Sequence, residues 1–193
     1  MRRACALFAL LLPCSAGAQQ SAKTIPIRIE TQLGTIEAEL DSAAAPGTVT
    51  NFLRYIDGKL FDGGSFFRAV TLANQPNDSV KIEVIQGGIS REKRGEAFPP
   101  IPLERTSTTK LHHGDGTLSM ARSGPETATN QFFITIGDQP ALDFAGHRNP
   151  DGQGFAAFGR VTRGMEIVRK IQTQPANAQT LTSPIAIVRI VRR

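Results

Sequence analysis

No stretch of this chain holds one periodicity for long. Short runs that alternate apolar and polar residues are cut every few positions by Gly or Pro, and only two runs carry a helical repeat. A half-buried strand needs a period of two, and a surface helix needs 3.6. Ile25-Pro26-Ile27-Arg28-Ile29-Glu30 alternates, Leu33-Gly34 reads as a turn, and Thr35-Ile36-Glu37-Ala38-Glu39-Leu40 alternates again, which predicts a hairpin. Further strands are predicted at 65–70, 82–86, 117–121, 131–136, 155–161 and 185–191, about eight in all. Pro46 suits the first turn of a helix. Val49, Phe52, Leu53 and Ile56 then form one apolar stripe, and Gly58 ends it. A second helix is predicted at 165–172, with Ile167, Val168 and Ile171 inward. The two helices lie far apart and do not alternate with strands, so a βαβ layout is excluded. The predicted fold is mainly β: a closed eight-stranded antiparallel β-barrel capped by two α-helices. The 18 Gly and 12 Pro among 193 residues supply the turns such a fold demands. Long polar loops are expected at 74–79 and 87–117.

The amino terminus follows another logic. Met1-Arg2-Arg3 is basic, an apolar run extends from Ala4 to Pro13, and Ala16-Gly17-Ala18 offers small residues where a signal peptidase reads. That three-part layout predicts a secretory signal peptide over 1–18, cleaved after Ala18, ahead of one domain over 19–193. The apolar run is shorter than the roughly 20 residues a bilayer span takes. Both cysteines, Cys5 and Cys14, fall inside this segment. The mature chain is then free of thiols, and an oxidising compartment needs no disulfide from it. Lipidation at Cys14 is the competing expectation, and Leu11-Leu12-Pro13 before it matches that pattern poorly.

The formal charge of +5 is dispersed along the chain, so charge gives no argument for nucleic-acid binding. Few motifs of bond-breaking chemistry stand out. His112 and His113 are adjacent and do not share a face, and with no cysteine beside them they make a poor metal site. No Ser sits in a nucleophile-elbow pattern, although composition leaves a Ser–His–Asp triad open. Gly152-Gln153-Gly154 lacks the third glycine of a dinucleotide loop. Three strands carry more information. Phe66-Phe67-Arg68-Ala69-Val70 places an Arg in an apolar strand. In the 82–86 strand, Val84 and Gln86 share one face and Ile85 takes the other. In Gln131-Phe132-Phe133-Ile134, Gln131 and Phe133 share one face against Phe132 and Ile134. A barrel wall with one Arg, two Gln and a Phe outward makes a shallow apolar groove with directed donors, suited to an extended peptide. Ordinary solvated outer positions explain the same spacing.

A resemblance bears on that choice. Gly34 to Leu40, Ala45-Pro46 through Asn51-Phe52, Phe66-Phe67-Arg68, Ile85-Gln86-Gly87-Gly88, Gly116 to Ala121, Ser123-Gly124-Pro125, Asn130 to Ile134 and Phe158-Gly159-Arg160-Val161 resemble the blocks of a cyclophilin, in the family's order. The resemblance implies peptidyl-prolyl cis–trans isomerase activity on proline-containing polypeptides, with no cofactor and no metal. It also implies Arg68 as the catalytic arginine and Gln86 as the glutamine that orients it. Ala121, Arg122, Gln131, Phe133 and Leu142 then match substrate-binding positions. Val84 also falls in the pocket. Phe67 and Phe155 resemble the exported bacterial members, which points to the periplasm. Glu83 and Val84 stand where the family has an apolar pair, and Ala141 replaces an aromatic residue that binds cyclosporin. The Glu83 and Ala141 changes bear on pocket depth and cyclosporin sensitivity, and they leave open a proline-peptide binding module with little catalysis. The expected partners are polypeptide substrates, with no nucleic acid and no stable membrane insertion, and the expected state is a monomer.

Overall fold

The structure is a computed structural model and describes residues 24–193. The expected signal peptide and both cysteines lie outside the described residues. Nine strands form: β1 (Thr24–Thr31), β2 (Gly34–Asp41), β3 (Ser65–Val70), β4 (Val84–Gly88), β5 (Thr117–Met120), β6 (Gln131–Thr135), β7 (Ala157–Arg163), β8 (Ala176–Asn177) and β9 (Thr180–Arg192). Antiparallel pairing runs β1-β2-β7-β5-β6-β4-β3-β9, and β9 pairs back onto β1. That closure makes an eight-stranded barrel without free edges, and the two-residue β8 only forms a hairpin with β9. Three helices accompany it: α1 (Pro46–Asp57), α2 (Thr106–Thr109) and α3 (Met165–Gln172). The strands expected at 82–86 and 155–161 each begin two residues later, at Val84 and Ala157, and the one-turn α2 interrupts the long loop expected before β5.

The alternation sorts side chains as period two demands. Ile27, Ile29, Ile36, Leu40, Phe66, Ile85, Phe132, Ile134 and Phe158 are all buried in one inner cluster. Helix α1 lays its stripe onto it. The Phe52 ring centroid lies 4.8 Å from Phe61, 5.3 Å from Phe132 and 5.0 Å from Phe158. Each such ring contributes about 1.5–3 kcal/mol relative to leaving it in water. The interior is therefore filled with side chains, which excludes an open ligand cavity of the lipocalin kind. Helix α1 has no cap of its own: Ala45 precedes it and supplies no side-chain bond. Glu104, 57 residues on, accepts from Gly47 N at 2.9 Å and Thr48 N at 2.7 Å instead. At the other end Gly58 stays right-handed, and Lys59 takes the left-handed turn.

One irregularity sets up everything outside the barrel. In β3, Phe66 pairs with Gly87 of β4, and Arg68, not Phe67, pairs with Gln86. The register slips by one residue, a β-bulge at Phe67. A regular strand would put Phe66 and Arg68 on one face. The bulge lets Phe66 stay in the core while Arg68 turns outward. Gly87 permits the close approach: a Cβ there would meet the Phe66 ring and Ser65 O, each at 2.9 Å.

Candidate active site

A second, smaller apolar cluster sits outside the barrel. Val70, Ile82, Val84, Phe133 and Leu142 are buried in it, with Ala121 and Phe155 packed against them. Beside it lies a cavity of about 210 Å³, lined by Arg68, Ile82, Val84, Gln86, Ala121, Arg122, Phe133, Leu142, Arg148, Asn149 and Phe155. Eight of the ten expected site residues, Gln86 among them, thus meet in one place. Gln131 lines the neighbouring depression with Gln86, Ala121 and Arg122. Phe67 is not among the lining residues of either; it is the half-buried extra residue of the bulge. The two departures that bore on pocket depth lie elsewhere. Glu83 accepts from Gln172 Nε2 at 3.2 Å, and Ala141 lines a separate, larger depression of about 540 Å³.

The polar groups form one chain. Arg68 Nη1 donates to Gln86 Oε1 at 2.8 Å, and Gln86 Nε2 donates to Gln131 Oε1 at 2.8 Å. On its other edge Arg68 donates from Nε, at 3.0 Å, and from Nη2 to Gln179 Oε1. None of these acceptors is charged. Burial lowers the Arg68 pKa, nearby Arg148 lowers it further, and Asp78 opposes both. A guanidinium stays protonated across any pH the fold survives, so Arg68 keeps a full positive charge against an apolar wall.

The wall itself is braced. Phe155 meets Phe133 edge-on, with centroids 5.3 Å apart and planes at 90°, and the Arg122 guanidinium carbon lies 5.0 Å from the Phe155 centroid. Arg122 is fixed in turn: its Nη1 and Nη2 donate to Asp151 at 2.7 and 2.9 Å, and its Nε donates to Gly154 O at 2.8 Å. The Arg122 bonds, with the Gln153 N–H, hold the Asp151 carboxyl down to about 2. Across the cavity Arg148 donates to Val80 O at 2.7 Å and pairs with Asp78 at 3.0 Å.

Behind Phe133 stands a relay that the sequence left open. Asp143 Oδ1 lies 2.6 Å from His113 Nδ1, and His113 Nε2 lies 2.9 Å from Ser119 Oγ. Ser119 is fully buried, so no substrate carbonyl reaches it, and the triad has no nucleophilic role. Its work is mechanical: the His113 ring stacks on Phe133 at 5.9 Å and 17°. Burial pushes the Asp143 carboxyl up, but hydrogen bonds from His113 and His112 outweigh it and leave it below the usual range. Among the described residues no cluster of three His, Cys, Asp or Glu is placed to hold a metal.

The site is thus a guanidinium without a counter-carboxylate beside an apolar cluster on the outside of a closed barrel. A family model described as cyclophilin type peptidyl-prolyl cis-trans isomerase/CLD matches residues 26–192. The chain belongs to the cyclophilin family. The peptidyl-prolyl cis-trans isomerase A of Dickeya dadantii is 36% identical over 153 residues, covering 78% of this chain and 73% of the relative. A peptidyl-prolyl cis-trans isomerase of Acinetobacter baylyi is 34% identical over 152 residues, with the same coverage. Among solved structures, a Cryptosporidium parvum cyclophilin superposes with a TM-score of 0.70 at 23% identity, covering 88% of this chain and 98% of that one. A second crystal structure of it was solved in the presence of the dipeptide Ala-Pro, with a TM-score of 0.69. At that identity the shared feature is the barrel fold. Residues of the cavity that sequence reasoning missed are Ile82, Arg148, Asn149 and, behind Arg68, Gln179. Ile82 was legible as part of a strand run; the others lie in loops with no motif.

Proposed function

We propose that this cyclophilin is a working prolyl isomerase of the exported bacterial kind, acting on X–Pro bonds of polypeptides folding outside the cytoplasm. The observation that carries the catalytic reading is Arg68, held by neutral amides with its charge intact beside the apolar notch. Amide resonance sets a barrier of about 18–20 kcal/mol to rotation, while the two prolyl isomers differ by only about 0.5–1 kcal/mol. Lowering the top of the barrier is therefore the whole task, and no bond breaks. As the bond twists, the prolyl nitrogen recovers its lone pair and becomes an acceptor. Val84, Phe133, Leu142 and Phe155 grip the pyrrolidine ring, and an N–H of Arg68 donates to that nitrogen. The bond forms only in the twisted state, so it accelerates the reaction without tightening ground-state binding. Gln86 holds the guanidinium, and Gln131 holds Gln86. Ala121 and Arg122 flank the substrate chain.

The basic start, apolar run and Ala16-Gly17-Ala18 support export, and Phe67 with Phe155 supports a periplasmic destination. The binding-only reading rested on Glu83 and Ala141, and neither lines the notch. A protease-coupled assay on a tetrapeptide anilide with an Ala–Pro bond tests the catalysis. The mature chain is expected to speed the cis-to-trans phase in proportion to its concentration; peptide binding with an unchanged relaxation rate overturns the reading. For export, the full chain expressed in a Gram-negative host is expected in the periplasmic fraction with Gln19 as its first residue. Recovery from the cytoplasm with Met1 in place overturns that part alone.

A further inference from the structure

The catalytic guanidinium is clamped from two sides, and only one side was visible in the sequence. Gln179 lies in the tight turn between β8 and β9, 111 residues from Arg68. The turn is pinned in two places. Ala69 N donates to Gln179 O at 2.9 Å, and Asn74 Nδ2 donates to Ala178 O at 3.0 Å while also donating to Ala69 O at 2.9 Å. Asn74 is itself fixed by a reciprocal pair with Thr71. These bonds hold Ala178 at φ 52°, a left-handed conformation that alanine seldom adopts. The Gln179 side chain has its amide nitrogen toward Asn74 O at 3.4 Å. That contact leaves its oxygen facing the guanidinium, where it accepts from both Nε and Nη2.

We infer that Gln179 is a positioning residue for the isomerisation, selecting which N–H groups of Arg68 face the substrate. A guanidinium has five N–H groups in a rigid plane. Gln179 takes one from Nε and one from Nη2, and Gln86 takes one from Nη1. Two remain, one on each terminal nitrogen. Gln86 alone fixes a single corner and lets the plane swing about it; the second acceptor fixes its orientation. Being a neutral amide, Gln179 aims the fork without neutralising it.

This inference rests on the isomerase reading, and the test separates the two. Gln179→Met keeps the side-chain length and removes the acceptor. It is expected to lower kcat by about tenfold. The dissociation constant for an Ala–Pro peptide should change less than about twofold, because the grip on the ring is elsewhere. The Arg68 Nε–Hε resonance should lose its downfield, slowly exchanging character, a change that loosening of the turn alone would not produce. Gln179→Asn, which keeps an amide but shortens it, serves as a second variant if the Met protein folds poorly, with the same expected split. Wild-type kcat together with an unshifted Arg68 resonance in a folded variant overturns the inference and leaves the isomerase reading standing. An inactive wild-type protein overturns both.

Discussion

The two walls of the outer notch each carry an arginine, and they are built in opposite ways. Arg122 has a side chain only 1% exposed, and it gives two of its three hydrogen bonds to a carboxylate, Asp151. Arg68 makes three bonds as well, and every acceptor is a neutral glutamine oxygen. A bidentate carboxylate cancels the charge it holds and satisfies the fork. Neutral amides hold the same fork and leave its charge available. One arginine is thus a strut for the Phe155 wall, and the other, on the reading proposed above, keeps its charge and two free N–H groups for the twisted prolyl nitrogen. Residue type alone does not distinguish them; the partners do.

The largest break in that comparison is the removal of the donor. Arg68→Ala is expected to cut kcat/KM by roughly a hundredfold to a thousandfold, the loss seen when a single transition-state donor goes. Folding should survive, since Arg68 is half-buried on the outer face and the inner cluster does not include it. Stopped-flow isomerase rates beside circular dichroism would check both. Retention of most activity means that the charge of Arg68 is not what the notch uses.

Next comes a variant that makes Arg68 resemble Arg122. Gln179→Glu keeps an acceptor oxygen beside the guanidinium and adds the missing negative charge. The geometry stays and the charge is offset, so kcat should fall by about tenfold, near 1.4 kcal/mol, although Arg68 is still in place. Full activity in that variant says that orientation matters and charge does not. A smaller effect is expected from Arg122→Ala. It withdraws the cation from the Phe155 ring and frees the 151–154 segment, so KM should rise about threefold to tenfold while kcat holds. A selective fall in kcat would put Arg122 among the catalytic groups.

How much of this was readable beforehand follows the range of the interactions. Period-two runs placed Ile85 and Phe132 inside and Val84 and Phe133 outside, because that pattern is local and every strand repeats it. Helix α1 starts at Pro46 as its sequence demands. The family blocks brought Arg68, Gln86, Gln131 and Phe133 forward. What pattern could not show is how Arg68 reaches the outer face when Phe66, two residues earlier, is in the core. That depends on the slip at Phe67, which arises from pairing with Gly87 on another strand. Gln179 and His113 were hidden for the same reason. Each acts through a partner that the fold brings from another segment, and His113, in the sequence only half of a poor metal site, gains its role from Asp143 and Ser119 beside it.

The finest test of the contrast is acid. The Asp151 carboxyl is held at about 2 in the folded protein, against an ordinary aspartate value of 3.8. A depressed folded value means that the charged form favours the fold. The stabilisation from the Arg122–Asp151 pair is therefore fully present above about pH 4 and fades as the pH drops toward 2. Asp151 is partly exposed and salt screens it, so the effect on melting temperature is small and best read as a difference. Asp151→Asn puts a neutral amide against Arg122, the arrangement Arg68 already has. Its melting temperature should lie below wild type at pH 7, and the gap should close between pH 4 and pH 2. Isomerase activity at pH 7 should be nearly unchanged, because Arg122 needs to be held but does not need its charge cancelled. A gap that stays constant through that range would show that Asp151 stabilises the wall by packing and turn hydrogen bonds alone.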